Sequence, residues 1–433
     1  MIKDNITSYI KKFLRRGYSY NKVLEELKHT EFWTEAELIK LQNCKLEKII
    51  RHCYKNVPFY TDLFNGLKLK PDDIKTRKDL SKLPFIDKFV VRDNFDKFIA
   101  KNKPKWLANK GHTSGTSGTP CKYLRDYSSI NFENAALWRQ WGLAGDKGFK
   151  RITLRGCSIV PVAQTEPPFW THNYADNELI MSSYHLSERY ADAYIAKIKD
   201  FNPQILYATP SAAFVLGKMF QYKNQKICLK NVFTSSENLS EYYKKFIEDI
   251  FSCKVFDWYG QAERVSAIAH CEKGNYHIVE DYSITETIPH EFGHEVVGTQ
   301  LHNYIMPLIR YKTGDIIKLS TEKCSCGRNF RLVEEISGRD FDYIITPEGA
   351  KNTMYDLIPR KVENLIEAQF IQEKIGELII KIVTNHDFSE KDREKLISNT
   401  LEYTSPTMKI IIKETDYIPR SPNGKFISII NKV

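Results

Sequence analysis

The chain has 433 residues, 42 % hydrophobic and 27 % charged, which excludes a disordered, fibrous or low-complexity chain and implies two or three domains whose cores need no disulfide or metal staple. Its 64 Lys and Arg stand against 54 Asp and Glu, and the resulting net charge of +10 is dispersed, so it suits a phosphate-bearing substrate without prescribing nucleic acid. No stretch approaches the ~20 apolar residues of a membrane span, and the opening MIKDNITSYIKKFLRRGYSY reads as an amphipathic helix, without the apolar core and cleavage site of a secretory signal.

The first hundred residues read as helical. In LEKIIRHCYKNVPFYTDLF (46–64), Leu46, Ile49, Ile50 and Cys53 fall at helical spacing and Pro58 is expected to end the helix. Two short helical pieces follow in 70–88. From about 150 the pattern alternates: RITLRGCSIV (151–160) reads as a strand, and 203–220 as a strand, a turn and a helix capped by Ser211. Residues 230–263 read strand, loop, helix, strand, loop. This predicts an α/β fold with mixed, largely parallel sheets flanked by helices, and ligands placed beyond the carboxyl ends of strands. Short strands are expected through 282–345, at 294–303, 315–320 and 341–347, and a small α+β unit after a boundary near Gly338–Asp342. The expected organisation is a large domain 1–338, helical over 1–100 and carrying the sites over 101–338, joined by a hinge to a small mobile domain 339–433.

Five segments carry chemistry. HTSGTSGTPCKY (112–123) combines two glycines, hydroxyls and Lys122, a loop able to cradle phosphate oxygens, although it is neither a Walker loop nor G-x-G-x-x-G. DWYGQAER (257–264) places an aromatic, a glycine and a carboxylate after a strand. RYKTGD (310–315) reads as a hairpin whose Asp315 can accept two bonds from a ribose diol. SGRDFDYI (337–344) presents Arg339, and PRSPNGKF (419–426) presents Lys425 on a turn. Nine cysteines without a secretory signal read as reduced and cytoplasmic. Of these, Cys271, Cys324 and Cys326 are spaced with His277 to form a structural Cys3His zinc site or to remain reduced thiols in two loops, with His270 a rival ligand.

In this order and spacing the five segments resemble the adenylate-forming superfamily of acyl-CoA synthetases, peptide-synthetase adenylation domains and luciferases, across essentially the whole chain. KIIRHCYKNVPFYTDLF and LSKLPFIDKFVVRDNF resemble its phenylacetate–CoA ligase branch, and YGQAERVSAIAHCEKGNYHI looks most like a subgroup associated with capsule and O-antigen polysaccharide biosynthesis.

The resemblance implies roles residue by residue. Ser114, Gly115, Thr116, Ser117, Gly118 and Thr119 would bind the β,γ-phosphates of ATP, with Lys122 one position later than the family's lysine. Ser235, Ser236 and Glu237, where the branch has Gly-Gly-Glu, would line the adenine, and Tyr259 would stack on it within Trp258-Tyr259-Gly260-Gln261. Glu263 would coordinate Mg²⁺, Asp315 would hold the ribose, Arg339 would support ribose and phosphate, and Lys425 would meet the substrate carboxylate and the α-phosphate. Tyr207, Ser211 and Trp258 are expected near the acyl pocket. Three departures stand out: Ala262 replaces a threonine, Phe341 falls at the hinge position between Asp340 and Asp342, and no CoA-specific signature is found.

The activity implied is an ATP-dependent, AMP-forming acid ligase. Two acceptors stay open: an amine in surface-polysaccharide biosynthesis, and the CoA thiol. A catalytically inactive binding subunit is a further reading, motivated by Ala262 and the altered hinge. A small carboxylic acid and an amine or thiol are the expected partners. Nucleic acid and stable membrane insertion are not expected, and a homodimer is left open.

Overall fold

The computed structural model describes residues 2–112, 121–145, 149–156, 159–339, 342–421 and 424–433. The chain groups into two compact units, 1–147 with 256–336 and 148–255 with 337–433. Both are mixed α/β. Among the described residues no helix is long and apolar enough to cross a membrane.

In the first unit the helix Glu35–Asn56 starts at a capping box, Thr34 with Glu37, and buries Leu38, Gln42, Leu46, Ile49, Ile50 and Cys53 along one face. Pro58 follows this helix and opens another, Pro58–Gly66, at a position where its missing N–H costs nothing. The expected pieces in 70–88 are the 3₁₀ turns Pro71–Asp73 and Arg77–Lys82. The unit's strands run in the order Ser283–His290, Gly293–Gln300, Tyr311–Leu319, Leu332–Arg339, Tyr276–Ile278, Ala267–His270 and Lys254–Gly260. The pairings of Gly293–Gln300 with both neighbours, and of Ala267–His270 with both of its own, are antiparallel. RYKTGD is therefore no hairpin. Its residues from Tyr311 onward stay in one strand to Leu319, with a register shift opposite Glu295/Val297 and Gly314 at φ +72°.

In the second unit Asn231–Ser235, Ile205–Ala208, Arg151–Arg155 and Glu178–Ser182 pair parallel in that order, and Trp170–Asn173 joins antiparallel. Parallel pairing recurs further along the chain, where Leu365–Lys374 pairs parallel with Ile429–Asn431 and Glu377–Thr384 with Lys409–Glu414, as expected of mixed and parallel sheets. Every residue of Asn231–Ser235 is buried, as expected of a strand covered on both faces. The helices Ala191–Phe201, Pro210–Tyr222 and Glu241–Phe251 contribute Ile195, Leu216, Phe220 and Ile247 to its core. The cap of Pro210–Tyr222 is Thr209, whose hydroxyl accepts from the Ala212 N–H, while Ser211 lies buried inside the first turn. The segment after 342 forms the strand order Lys409–Glu414, Glu377–Thr384, Leu365–Lys374 and Ile429–Asn431. The helix Glu390–Tyr403 accompanies it, with Leu396 in the same cluster as Phe370, Ile380 and Ile382. Among the described residues 342–347, Ile344–Ile345 are strand.

Candidate functional site

Two sets of side chains gather at the predicted positions, one in each unit. In the first unit the strand Lys254–Gly260 delivers Tyr259, whose hydroxyl donates to Asp315 Oδ2 at 2.7 Å. Burial and the neighbouring Asp315 push the Tyr259 phenol well above its ordinary pKa, so it remains a donor. Successive residues on a strand face opposite sides. Trp258 accordingly points away from Tyr259 and is 5 % exposed, packed with Phe132 and Tyr282 in the core. A Cβ on Gly260 would come 3.0 Å from the Trp258 ring nitrogen. Gln261 Oε1 accepts from the Ser266 N–H, and its buried Nε2 is a donor without an acceptor among the described residues. Such a buried orphan is the feature that a ligand oxygen would satisfy.

Glu263 follows, buried, its Oε1 facing the Tyr311 hydroxyl at 2.9 Å and the Tyr123 hydroxyl at 3.2 Å. The two phenols lie 3.0 Å apart. Burial raises the Glu263 carboxyl above the ordinary glutamate range. Tyr123 and Tyr311 went unassigned in the sequence, although each stands inside a motif singled out for its neighbours. Lys122 precedes Tyr123 on the strand Lys122–Arg125 and is exposed by the same alternation. The Ala262 carbonyl accepts from Arg125 Nε at 3.1 Å. Ser114, Gly115, Thr116, Ser117, Gly118 and Thr119 lie outside the described residues, as do Asp340 and Phe341.

In the second unit the carboxyl ends of the parallel strands bring together Arg155, Tyr207, Ser235 and Ser236. The Arg155 guanidinium donates to the Tyr207 hydroxyl and to Ser236 Oγ and lies 4.6 Å from the Tyr207 ring centroid. Ser235 Oγ is 3.4 Å from the Tyr207 hydroxyl and 3.4 Å from Ser236 Oγ. Glu237 is occupied otherwise: Oε2 accepts from the Ser211 N–H at 3.1 Å and Oε1 from the Phe426 N–H at 2.8 Å. That second bond docks the Lys425 loop. The loop closes on itself through Ser421, whose N–H donates to the Lys425 carbonyl at 2.9 Å and whose Oγ accepts from the Lys425 N–H at 3.1 Å. Gly424, at φ +69°, passes so near the backbone of Gly156 that a Cβ would lie 2.0 Å from its Cα, so only glycine fits. Lys425 itself is half-buried, and Arg339 is exposed.

Cys271, His277, Cys324 and Cys326 form one cluster in the first unit, with ligand atoms all within 4.8 Å of one another. Cys271 and Cys324 sulfurs are 3.7 Å apart, and Cys326 Sγ is 3.4 Å from His277 Nε2. His277 Nδ1 lies 3.1 Å from the Phe330 carbonyl, which makes Nδ1 the protonated nitrogen and leaves Nε2 facing the thiols. Burial opposes ionisation of Cys324, but hydrogen bonds from Asn275 and the Cys326 N–H, with the His277 contact, outweigh it and lower its pKa, whereas burial raises Cys271 and Cys326. His270 stands aside: its Nδ1 accepts from the Asp257 N–H at 3.1 Å.

Comparison with known proteins places relatives around this arrangement. Residues 344–432 match the family model of the CapK C-terminal domain. Protein CapK of Staphylococcus aureus is 27 % identical, covering 97 % of this chain and 94 % of that protein. A phenylacetate-coenzyme A ligase of Thermus thermophilus is 24 % identical, covering 91 % and 96 %. The fold is that of 2-hydroxyisobutyryl-CoA ligase, solved in the postadenylation state with an acyl-AMP, at a TM-score of 0.73 and 17 % identity over 94 % of this chain and 92 % of that one.

Proposed function

We propose that this chain, related to Protein CapK and the phenylacetate-coenzyme A ligases along nearly its whole length, is an AMP-forming acid ligase that converts a carboxylic acid and ATP to an acyl-adenylate and passes the acyl group to an acceptor. The observation that supports it most is the Tyr259–Asp315 pair, an aromatic suited to a planar base joined to a carboxylate suited to a ribose diol. Lys425 would meet the reacting carboxylate and α-phosphate, and Arg339 would support the ribose and phosphates. A screen for pyrophosphate release over a library of carboxylic acids, with ATP, tests the reading.

The phenylacetate-coenzyme A ligases favour the CoA thiol as acceptor. An amine in surface-polysaccharide biosynthesis is the second reading, resting on the resemblance of the segment 259–278. AMP release with CoA against a set of amines separates the two. The small C-terminal domain 339–433 would be the mobile part, and the cytoplasm the expected compartment.

Magnesium fits the nucleotide side, since a hard cation takes a single carboxylate such as Glu263 together with phosphate oxygens and water. When bound it would neutralise phosphate charge. The loop 114–119 would hold the β,γ-phosphates. Gly115→Val and Gly118→Val each push a side chain toward them, and weakened ATP binding is expected in both. Unchanged affinity in both variants would remove the phosphate-loop assignment.

Zinc fits the Cys271, His277, Cys324, Cys326 cluster: three thiols and one imidazole nitrogen held by a backbone carbonyl behind it, four ligands that leave no open position. Purified protein is expected to carry about one zinc per chain by elemental analysis. Cys324→Ser with Cys326→Ser should release it and lower thermal stability, because binding energy at a structural site is folding energy. Metal-free protein that is folded and active would reject the site.

A further inference from the structure

Arg155 ends the strand Arg151–Arg155, and Tyr207 and Ser235 come from the two strands that follow it in the parallel set. This is where such sheets place ligands. A guanidinium has five N–H donors and no acceptor. Here Arg155 donates to two neutral hydroxyls, and among the described residues no carboxylate lies within ion-pair distance of it. A half-buried cation of this kind ordinarily carries an anion. Glu237, the carboxylate that adjoins Ser236 in sequence, does not serve, because each of its oxygens is held by a backbone N–H, from Ser211 and from Phe426. The hydroxyls that accept from Arg155 both lie 3.4 Å from Ser235 Oγ, so the guanidinium sits on a small hydroxyl cluster. Ser236 meets Arg155 from φ +79°, a backbone region costly for a residue with a Cβ. Arg155 thus stands among hydroxyls, with the Glu237 carboxylate engaged elsewhere.

We propose that Arg155, with the hydroxyls of Tyr207 and Ser236, receives a second carboxylate on the acyl substrate, so that the acid activated is a dicarboxylic one, including an acidic sugar or amino acid of that type. The planar fork of arginine matches a carboxylate in two parallel bonds, and the Tyr207 ring beneath it holds the plane. This deepens the acyl-adenylate reading and rests on it for the identity of the substrate, not for the existence of the anion site. Arg155 has no part in the bond-forming step. It sets which acid is held and in what orientation.

The test uses the full chain. ATP–pyrophosphate exchange is measured with a panel of dicarboxylic acids of increasing length, hydroxylated and amino diacids, and the monomethyl ester of each. Binding of the same acids is measured by calorimetry without nucleotide. The expected result is a diacid preferred over its ester. Arg155→Met should lose that preference, with KM for the diacid raised about 10–100-fold, kcat changed little and the KM for ATP unaltered, the scale of one charged hydrogen-bond partner. Arg155→Lys, which keeps the charge without the fork, should recover part of the loss and guards against a variant that merely unfolds. Exchange that prefers a monoacid or ester, with Arg155→Met indifferent, leaves the ligase reading standing and overturns the anion site. Diacid binding that requires Arg155 without any exchange upholds the anion site and overturns the ligase reading. Absence of any Arg155-dependent binding across the panel overturns the proposal.

Discussion

Replacing Lys425 by alanine is expected to lower acid-dependent pyrophosphate release by roughly 10²-fold or more, the scale for removing one preorganised charge contact from a transition state. A carboxylate attacking an α-phosphate brings two anions together. A cation placed there acts more strongly on the pentavalent transition state than on bound ATP, so the KM for ATP should change little. The loop offers a clean experiment. It is held by backbone groups: the Ser421–Lys425 bonds, the passage of Gly424 against Gly156 and the Phe426 N–H on Glu237. None of these contacts needs the lysine side chain, so the alanine variant keeps all of them. Acyl transfer from a supplied acyl-adenylate should be nearly unaffected. Wild-type pyrophosphate release by the variant would sink the assignment. Equal loss in both half-reactions would make Lys425 a structural residue.

Glu263→Gln carries the other large effect, and it should move activity and stability in opposite directions. If this carboxylate holds magnesium, its loss removes several kcal/mol of charge stabilisation, roughly 10²- to 10³-fold in rate. Burial raises the Glu263 carboxyl, so the fold favours its protonated form. A folded-state pKa above the unfolded one means that ionisation costs stability, and the cost grows as pH rises from the ordinary glutamate range through the raised value. Glutamine keeps the shape and can still bond to the tyrosine hydroxyls, without the charge. Thermal denaturation over a pH series should show the variant equal to wild type at low pH and more stable near neutrality, while pyrophosphate release falls. A variant that loses stability and activity together would mark Glu263 as part of the packing around Tyr123 and Tyr311.

Local period and motif order were legible in the sequence. The apolar spacing at Leu46, Ile49, Ile50 and Cys53 marks a buried helix face, and the cysteines and His277 meet in one cluster although the chain separates them widely. What was not legible depends on distant partners. Arg155 is an ordinary strand residue until Tyr207 and Ser236 arrive beside it. Tyr123 and Tyr311 matter only because a hydroxyl from each reaches the same carboxylate. The Thr-Gly-Asp of 313–315 carries the local signal of a turn, yet sheet pairing on the Tyr311–Leu319 strand overrides it, and the glycine serves a bend within the strand. Thr209 and Ser211 are both good caps. Which one serves follows from where Pro210 can begin a helix, at its first position, with the cap just before it.

The double engagement of Glu237 has a consequence for water. While the Lys425 loop is docked, the Phe426 N–H and one oxygen of Glu237 satisfy each other. Were the loop to withdraw, a donor and a charged acceptor would both be left needing partners, and an unpaired polar group away from water is costly enough that each would have to be hydrated. The loop therefore cannot lift from this end of the site without drawing solvent in beside Ser236 and Arg155. Docking takes one amide and one carboxylate oxygen out of water together, and undocking returns both.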